Sequence, residues 1–166
     1  MSRVNAVAAV TGKLFDEDWS RVGRGRGVGQ ARYMARAAQG ASPAIFKMIR
    51  TGGCASRSQL SAQFNYLFSK SVDVHDSRGL LDGAKVLSPE QIESAVSRWA
   101  DNWKGQMNAA RTSHMLMSFP RETKPSHVSL IAGEICREKL GGRFDYMIAV
   151  HTDSPNKNPH AHIIVN

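Results

Sequence analysis

The chain reads as an α+β domain: a largely antiparallel β-sheet with helices on its face, packed on one side. Three observations predict this. Short apolar runs that suit strands alternate with amphipathic stripes of helical period. The last two strand-like runs, Tyr146–Val150 and Ile163–Val165, flank a Pro- and Asn-rich segment and so read as a hairpin. At 166 residues the chain has room for one domain and at most a tail, and no internal repeat divides it.

Residues 1–42 read as a basic, Arg/Gly-rich extension of poor order. Arg21–Gly29 alternates Arg, Gly and Val with little to bury, and Gln30–Gln39 has the pattern of a short helix. Residues 43–166 form the expected domain. Ala44–Ile49 is its first strand, ended by Thr51-Gly52-Gly53. A helix over 57–69 follows, with Ser56 as N-cap and Leu60, Phe64, Leu67 and Phe68 as its apolar stripe. Val72–Val86 is ambiguous and has room for two short strands around Ser77-Arg78-Gly79. Ser88-Pro89-Glu90-Gln91 is a strong helix start, with Pro at the first position and a capping-box Gln. Ile92, Val96, Trp99 and Trp103 then make a buried stripe. Thr112–Phe119 is a strand stopped by Pro120. Ser126–Leu140 is a helix with Val128, Ile131 and Ile135 inward, ended by Gly141-Gly142. Phe144–Thr152 and His160–Val165 are the closing strands.

The net charge is +8, which favours a polyanionic partner. Residues 1–50 carry nine basic and three acidic residues, whereas residues 51–166 carry thirteen and eleven. Most of the excess therefore lies in the N-terminal third, where a solvated tail explains it as well as a nucleic-acid contact does. Cys54 and Cys136 are too few and too isolated for a disulfide framework or a zinc knuckle, and a reducing cytoplasm suits them. No apolar run approaches membrane-spanning length, and Met1–Thr11 lacks the layout of an export signal.

The densest chemistry lies in residues 151–162, His-Thr-Asp-Ser-Pro-Asn-Lys-Asn-Pro-His-Ala-His. Side chains two apart on a strand share a face, which puts His151 beside Asp153 and His160 beside His162. If the two strands pair, all four groups converge. Three imidazoles beside a carboxylate make a divalent-metal site, with His151, His160 and His162 as ligands. Asp153 is either a further ligand or, as favoured here, a partner that fixes the orientation of an imidazole. Such a set accepts Mn²⁺, Zn²⁺, Ni²⁺ or Co²⁺, and Mg²⁺ less readily. An exposed hairpin end with solvated histidines is the bland alternative.

Of the three tyrosines, Tyr146 alternates with Phe144 and Ile148 and belongs to the core, and Tyr33 lies in the low-order segment. Tyr66 stands apart, roughly 145° from the apolar stripe of its helix at about 100° per residue. A surface tyrosine without a role is the ordinary reading of that position alone.

In their order, three segments resemble the motifs of conjugative relaxases with the HUH architecture. They are Tyr66 within Gln63-Phe64-Asn65-Tyr66-Leu67, Ser118 within Leu116-Met117-Ser118-Phe119-Pro120, and His151-x-Asp153 followed by Pro159-His160-x-His162. The likeness is greatest to the single-tyrosine branch that includes the T-DNA border-nicking relaxase, and it covers roughly residues 43–166. Tyr66 precedes the histidines, as in relaxases; in rolling-circle initiators the tyrosine usually follows them. The interval from His151 to His160 is about two residues longer than in relatives, absorbed by Ser154–Asn158. The resemblance implies that the chain is a catalytic portion shorter than its relatives.

The resemblance further implies a site- and strand-specific single-stranded DNA transesterase that nicks a transfer origin. Tyr66 would be the nucleophile, forming a 5′-phosphotyrosyl bond and freeing a 3′-OH. Asp153 would assist deprotonation, and Ser118 would position the DNA or the tyrosine. Mn²⁺ or Mg²⁺ would be the working ion. Relaxosome accessory proteins and a type IV secretion coupling protein would be partners, with no membrane role. The setting would be the bacterial cytoplasm, with passage into a recipient cell alongside DNA as an extension. Arg121, Arg143 and Lys157 are candidate phosphate contacts. Two alternatives stay open: a metal-dependent hydrolytic nuclease that uses activated water, and a non-catalytic DNA-binding module.

Overall fold

A computed structural model describes residues 44–104 and 109–166. The expected extension over 1–42, its short helix Gln30–Gln39 and Tyr33 lie outside the described residues. Eight elements follow in the order β1 (Ile45–Ile49), α1 (Arg57–Phe68), β2 (Asp73–Asp76), α2 (Pro89–Ala100), β3 (Ser113–Ser118), α3 (Pro125–Lys139), β4 (Tyr146–His151) and β5 (His160–Val165). The strands form one sheet in the order β1-β3-β5-β4-β2, and every neighbouring pair is antiparallel. The α+β class and the closing hairpin are as the sequence predicts. In that hairpin His151 pairs with His160 and Ala149 with His162.

The helix boundaries follow local chemistry. The Ser56 hydroxyl accepts from the Gln59 backbone N–H, and Ser88 and Gln91 complete a reciprocal capping box with Pro89 at the first turn. Leu60, Phe64, Leu67 and Phe68 are the buried residues of α1, the predicted stripe without addition. Phe64 sits edge-on to Phe68 and Trp99, at centroid distances of 5.2 and 5.1 Å.

Helices cover both faces of the sheet rather than one. α1 and α2 pack on Val74, Met147, Ala149 and Ile164, while α3 packs on Met115, Met117, Ile148, Val150 and Ile163. The reason lies in β4, where all six residues of Tyr-Met-Ile-Ala-Val-His are buried. A near-continuous apolar strand needs cover on both sides. Tyr146 is in the core, on the α3 side, as expected.

The ambiguous region 72–86 makes one strand, not two. After β2 the chain turns at Gly79 and Gly83, both with positive φ. The Asp82 carboxylate accepts from the Asp76 N–H, and the Asp76 carboxylate accepts from the Leu81 N–H. These side-chain bonds compete with a second ladder and win. No helix among the described residues is long and apolar enough to cross a membrane.

Candidate metal centre and nucleophile

The antiparallel register decides which side chains meet. Residues directly opposite share a face. His160 pairs with both His151 and Ser118, and His162 pairs with Leu116 and Ala149. His151, His160, His162, Ser118 and, by alternation, His114 therefore all face the α1 side. Each of the three predicted ligands offers one ring nitrogen, and these atoms lie within 4.8 Å of one another. Nitrogens this close can hold one shared cation after a modest closure.

Outer contacts orient two of these rings without ambiguity. His151 Nε2 lies 2.8 Å from the Leu67 carbonyl, and His160 Nδ1 lies 3.0 Å from the Asn158 carbonyl. A carbonyl only accepts, so these nitrogens carry the proton and the opposite nitrogens keep a lone pair. The 152–159 loop supports this through Ser154, whose hydroxyl accepts from the Asn158 N–H and donates to its carbonyl. Burial, reinforced by the neighbouring imidazoles, pushes His162 down to about 3. Burial also lowers His151 and His114. Neutral imidazoles are what a cation requires, and the donor set fits a divalent transition ion.

Asp153 behaves differently from the expectation. β4 ends at His151, so Asp153 is not on the strand face. Its nearest approach to His151 is 3.6 Å at Nδ1, beyond hydrogen-bonding distance, and the Leu67 carbonyl fixes that ring instead. Asp153 pairs with Lys70 at 2.9 Å, and this pairing holds its carboxyl below the usual carboxylate range.

Lys70 is the link that sequence reasoning missed. Its ammonium lies 4.1 Å from the centroid of the Tyr66 ring. The pairing with Asp153 and then the contact with Tyr66 raise its affinity for a proton. Tyr66 itself is 63% exposed, on the face of α1 away from the core. Tyr66 and Asp153 thus meet through Lys70, and the neighbour of Tyr66, Leu67, touches His151 through its carbonyl. The i, i+4 spacing of Tyr66 and Lys70 was the available signal.

The candidate phosphate contacts divide. Arg121 follows β3 at the Ser118 end, and Lys157 lies in the loop between the histidines with φ of 56°. Arg143 precedes β4, at the opposite end of that strand from His151, where it donates to the Lys139 carbonyl.

An antiparallel sheet that carries three convergent histidines at one end, against a helix that presents an exposed tyrosine, sets a candidate metal centre beside a candidate nucleophile. Comparison with known proteins specifies it further. The model of the MobA/VirD2-like relaxase nuclease domain matches residues 66–166, and the chain belongs to that family. It is 28% identical over 136 residues to the T-DNA border endonuclease VirD2 of Agrobacterium fabrum and 27% identical over 136 residues to that of Rhizobium radiobacter. Each match covers 74% of this chain but only 30% and 31% of the relatives, so the chain spans under a third of their length.

Proposed function

We propose that this domain nicks single-stranded DNA at a transfer origin by transesterification, with Tyr66 as nucleophile and a divalent cation on His151, His160 and His162. The observation that carries the reading is the connection between the two halves of the site. The tyrosine helix is bonded to His151 at Leu67, and Lys70 spans from the Tyr66 ring to Asp153.

In this mechanism Tyr66 Oη attacks the scissile phosphorus. The new O–P bond replaces the bond to the 3′ oxygen, which takes a proton from water and leaves as a free 3′-OH. The 5′ side remains joined as a phosphotyrosine, so the bond energy is kept and rejoining is the same step reversed. Lys70 stabilises negative charge as the phenolic oxygen loses its proton. Paired with Lys70, Asp153 is a weak base, so its part is to hold Lys70 against Tyr66 while the proton leaves to water. A cation on the three imidazoles would bind non-bridging phosphate oxygens and offset their charge in the transition state. Ser118 lies on the same face beside His160 and contacts the DNA backbone. Mn²⁺ or Mg²⁺ is the working ion in this reading. That the relatives are T-DNA border endonucleases supports DNA as substrate and suggests a role in mobilisation, with relaxosome accessory proteins and a secretion coupling protein as partners.

The test is cleavage of a pool of labelled single-stranded oligonucleotides from a transfer-origin region, with Mn²⁺ and with chelator. Cleavage that disappears in Tyr66→Phe and in chelator supports the mechanism. Metal-dependent cleavage that survives Tyr66→Phe would replace it with hydrolysis by activated water.

A further inference from the structure

Of the three triad rings, His162 alone is oriented by another imidazole. Its Nδ1 lies 2.9 Å from His114 Nε2, and the two ring centroids are 5.1 Å apart. Either nitrogen can donate in that contact, so the backbone does not decide which nitrogen of His162 is bare. His114 is 8% exposed and stands in β3, where an apolar side chain would serve packing alone. A buried imidazole needs partners on both nitrogens. Its Nδ1 lies 3.4 Å from Gln63 Nε2, and Gln63 in turn donates to the Gly52 carbonyl at 2.7 Å.

Gly52 adds an independent observation. A Cβ there would fall 2.6 Å from His114 Nδ1 and 2.7 Å from its Cβ. The turn after β1 thus leaves the one space in which this ring can lie against His162. Helix α1 (through Gln63) and the β1 turn (through Gly52) thus meet at His114, whose other nitrogen faces the ligand His162.

We infer that His114 is a positioning residue of the metal centre: it accepts the Nδ1 proton of His162, so that His162 meets the cation through Nε2. This rests on the metal reading of the triad given above. In the loaded state His114 carries its own proton on Nδ1, so its long 3.4 Å contact with the Gln63 amide nitrogen is given up while that nitrogen stays on the Gly52 carbonyl. Gly52 is required for the ring's place, not for the chain's path.

Metal affinity tests this without any DNA. Mn²⁺ titration by calorimetry and the visible absorption of bound Co²⁺ are measured on the chain and on His114→Leu and His114→Gln. His114→Leu should weaken binding roughly 10- to 100-fold and alter the Co²⁺ bands, as loss of an outer partner to a ligating imidazole does. His114→Gln, whose amide oxygen can accept the same proton, should stay within about threefold of the unaltered chain. Unchanged affinity and bands in His114→Leu would overturn the inference and leave the triad reading intact. No binding by the unaltered chain would overturn both. If His114→Leu fails to fold, ¹⁵N shifts of the unaltered Zn²⁺-loaded chain decide the matter. A protonated His162 Nδ1 with a bare His114 Nε2 supports the inference, and a bare His162 Nδ1 overturns it.

Discussion

Acid should unfold this domain through its own metal-site histidines. The perturbation is a change from about pH 7 to about pH 5 without metal. His162 has an ordinary value of 6.5 and is pushed down to about 3 in the fold, chiefly by burial. Between those values the unfolded chain binds a proton that the folded chain refuses. Stability therefore rises with pH across this window and falls as the solution is acidified. With 6.5 unfolded and about 3 folded, the loss from pH 7 to pH 5 is about 2 kcal/mol for this one group. His151 and His114 are lowered in the same direction and add to the loss. Asp153 and Asp145, both lowered, lose their contributions only as the pH falls through the carboxylate range, below this window. The assay is urea unfolding followed by tryptophan fluorescence, since Trp99 is buried and Trp103 packs on the same core. His162→Gln should lose about 2 kcal/mol less over the same interval. Saturating Mn²⁺ should raise stability at pH 7 and steepen its fall, because protons and cation compete for the same nitrogens. Stability that stays level or rises on acidification, or an equal fall in His162→Gln, would refute the reasoning.

Three further outcomes follow from the geometry. Lys70→Met removes the charge beside Tyr66 and should slow nicking at least tenfold, or about 1.4 kcal/mol of transition-state stabilisation, with melting temperature little changed because the Lys70–Asp153 pair is exposed; an unchanged single-turnover rate would remove Lys70 from the mechanism. Phe64→Ala empties a fully buried position between Phe68 and Trp99 and should cost about 3–5 kcal/mol in urea unfolding; a loss under about 1 kcal/mol would contradict the packing. Ser88→Ala breaks the capping box of α2 and should cost about 1 kcal/mol by the same measurement, with no loss of Mn²⁺ binding.

Much of the site was legible because strand alternation and hairpin pairing are strong constraints. His151, His160 and His162 converge as their spacing requires, and Tyr66 is exposed because it lies off the stripe of Leu60, Phe64, Leu67 and Phe68. Asp153 does lie beside His151, but two residues past the end of β4, in a loop where Lys70 supplies a closer partner that strand alternation does not show. Lys70 lies just beyond the last helical residue, Phe68, where helical spacing is seldom counted. His114 was overlooked although alternation from Ser118 puts it on the site's face; only the register with β5 brings its ring to His162. The distribution of helices over two faces was encoded in the unbroken apolar run of β4, which reads as readily as an ordinary core strand. Arg143 stands at the end of β4 opposite His151, because proximity in sequence to a strand says nothing about which of its ends carries the chemistry.

The most direct test of the central claim is peptide mapping by mass spectrometry after incubating the chain with Mn²⁺ and the cleavable oligonucleotide. The account predicts a nucleotide adduct on the peptide that contains Tyr66, joined through its phenolic oxygen, with a free 3′-OH on the released fragment. Cleaved DNA with an unmodified Tyr66 peptide, or an adduct on another residue, would contradict it.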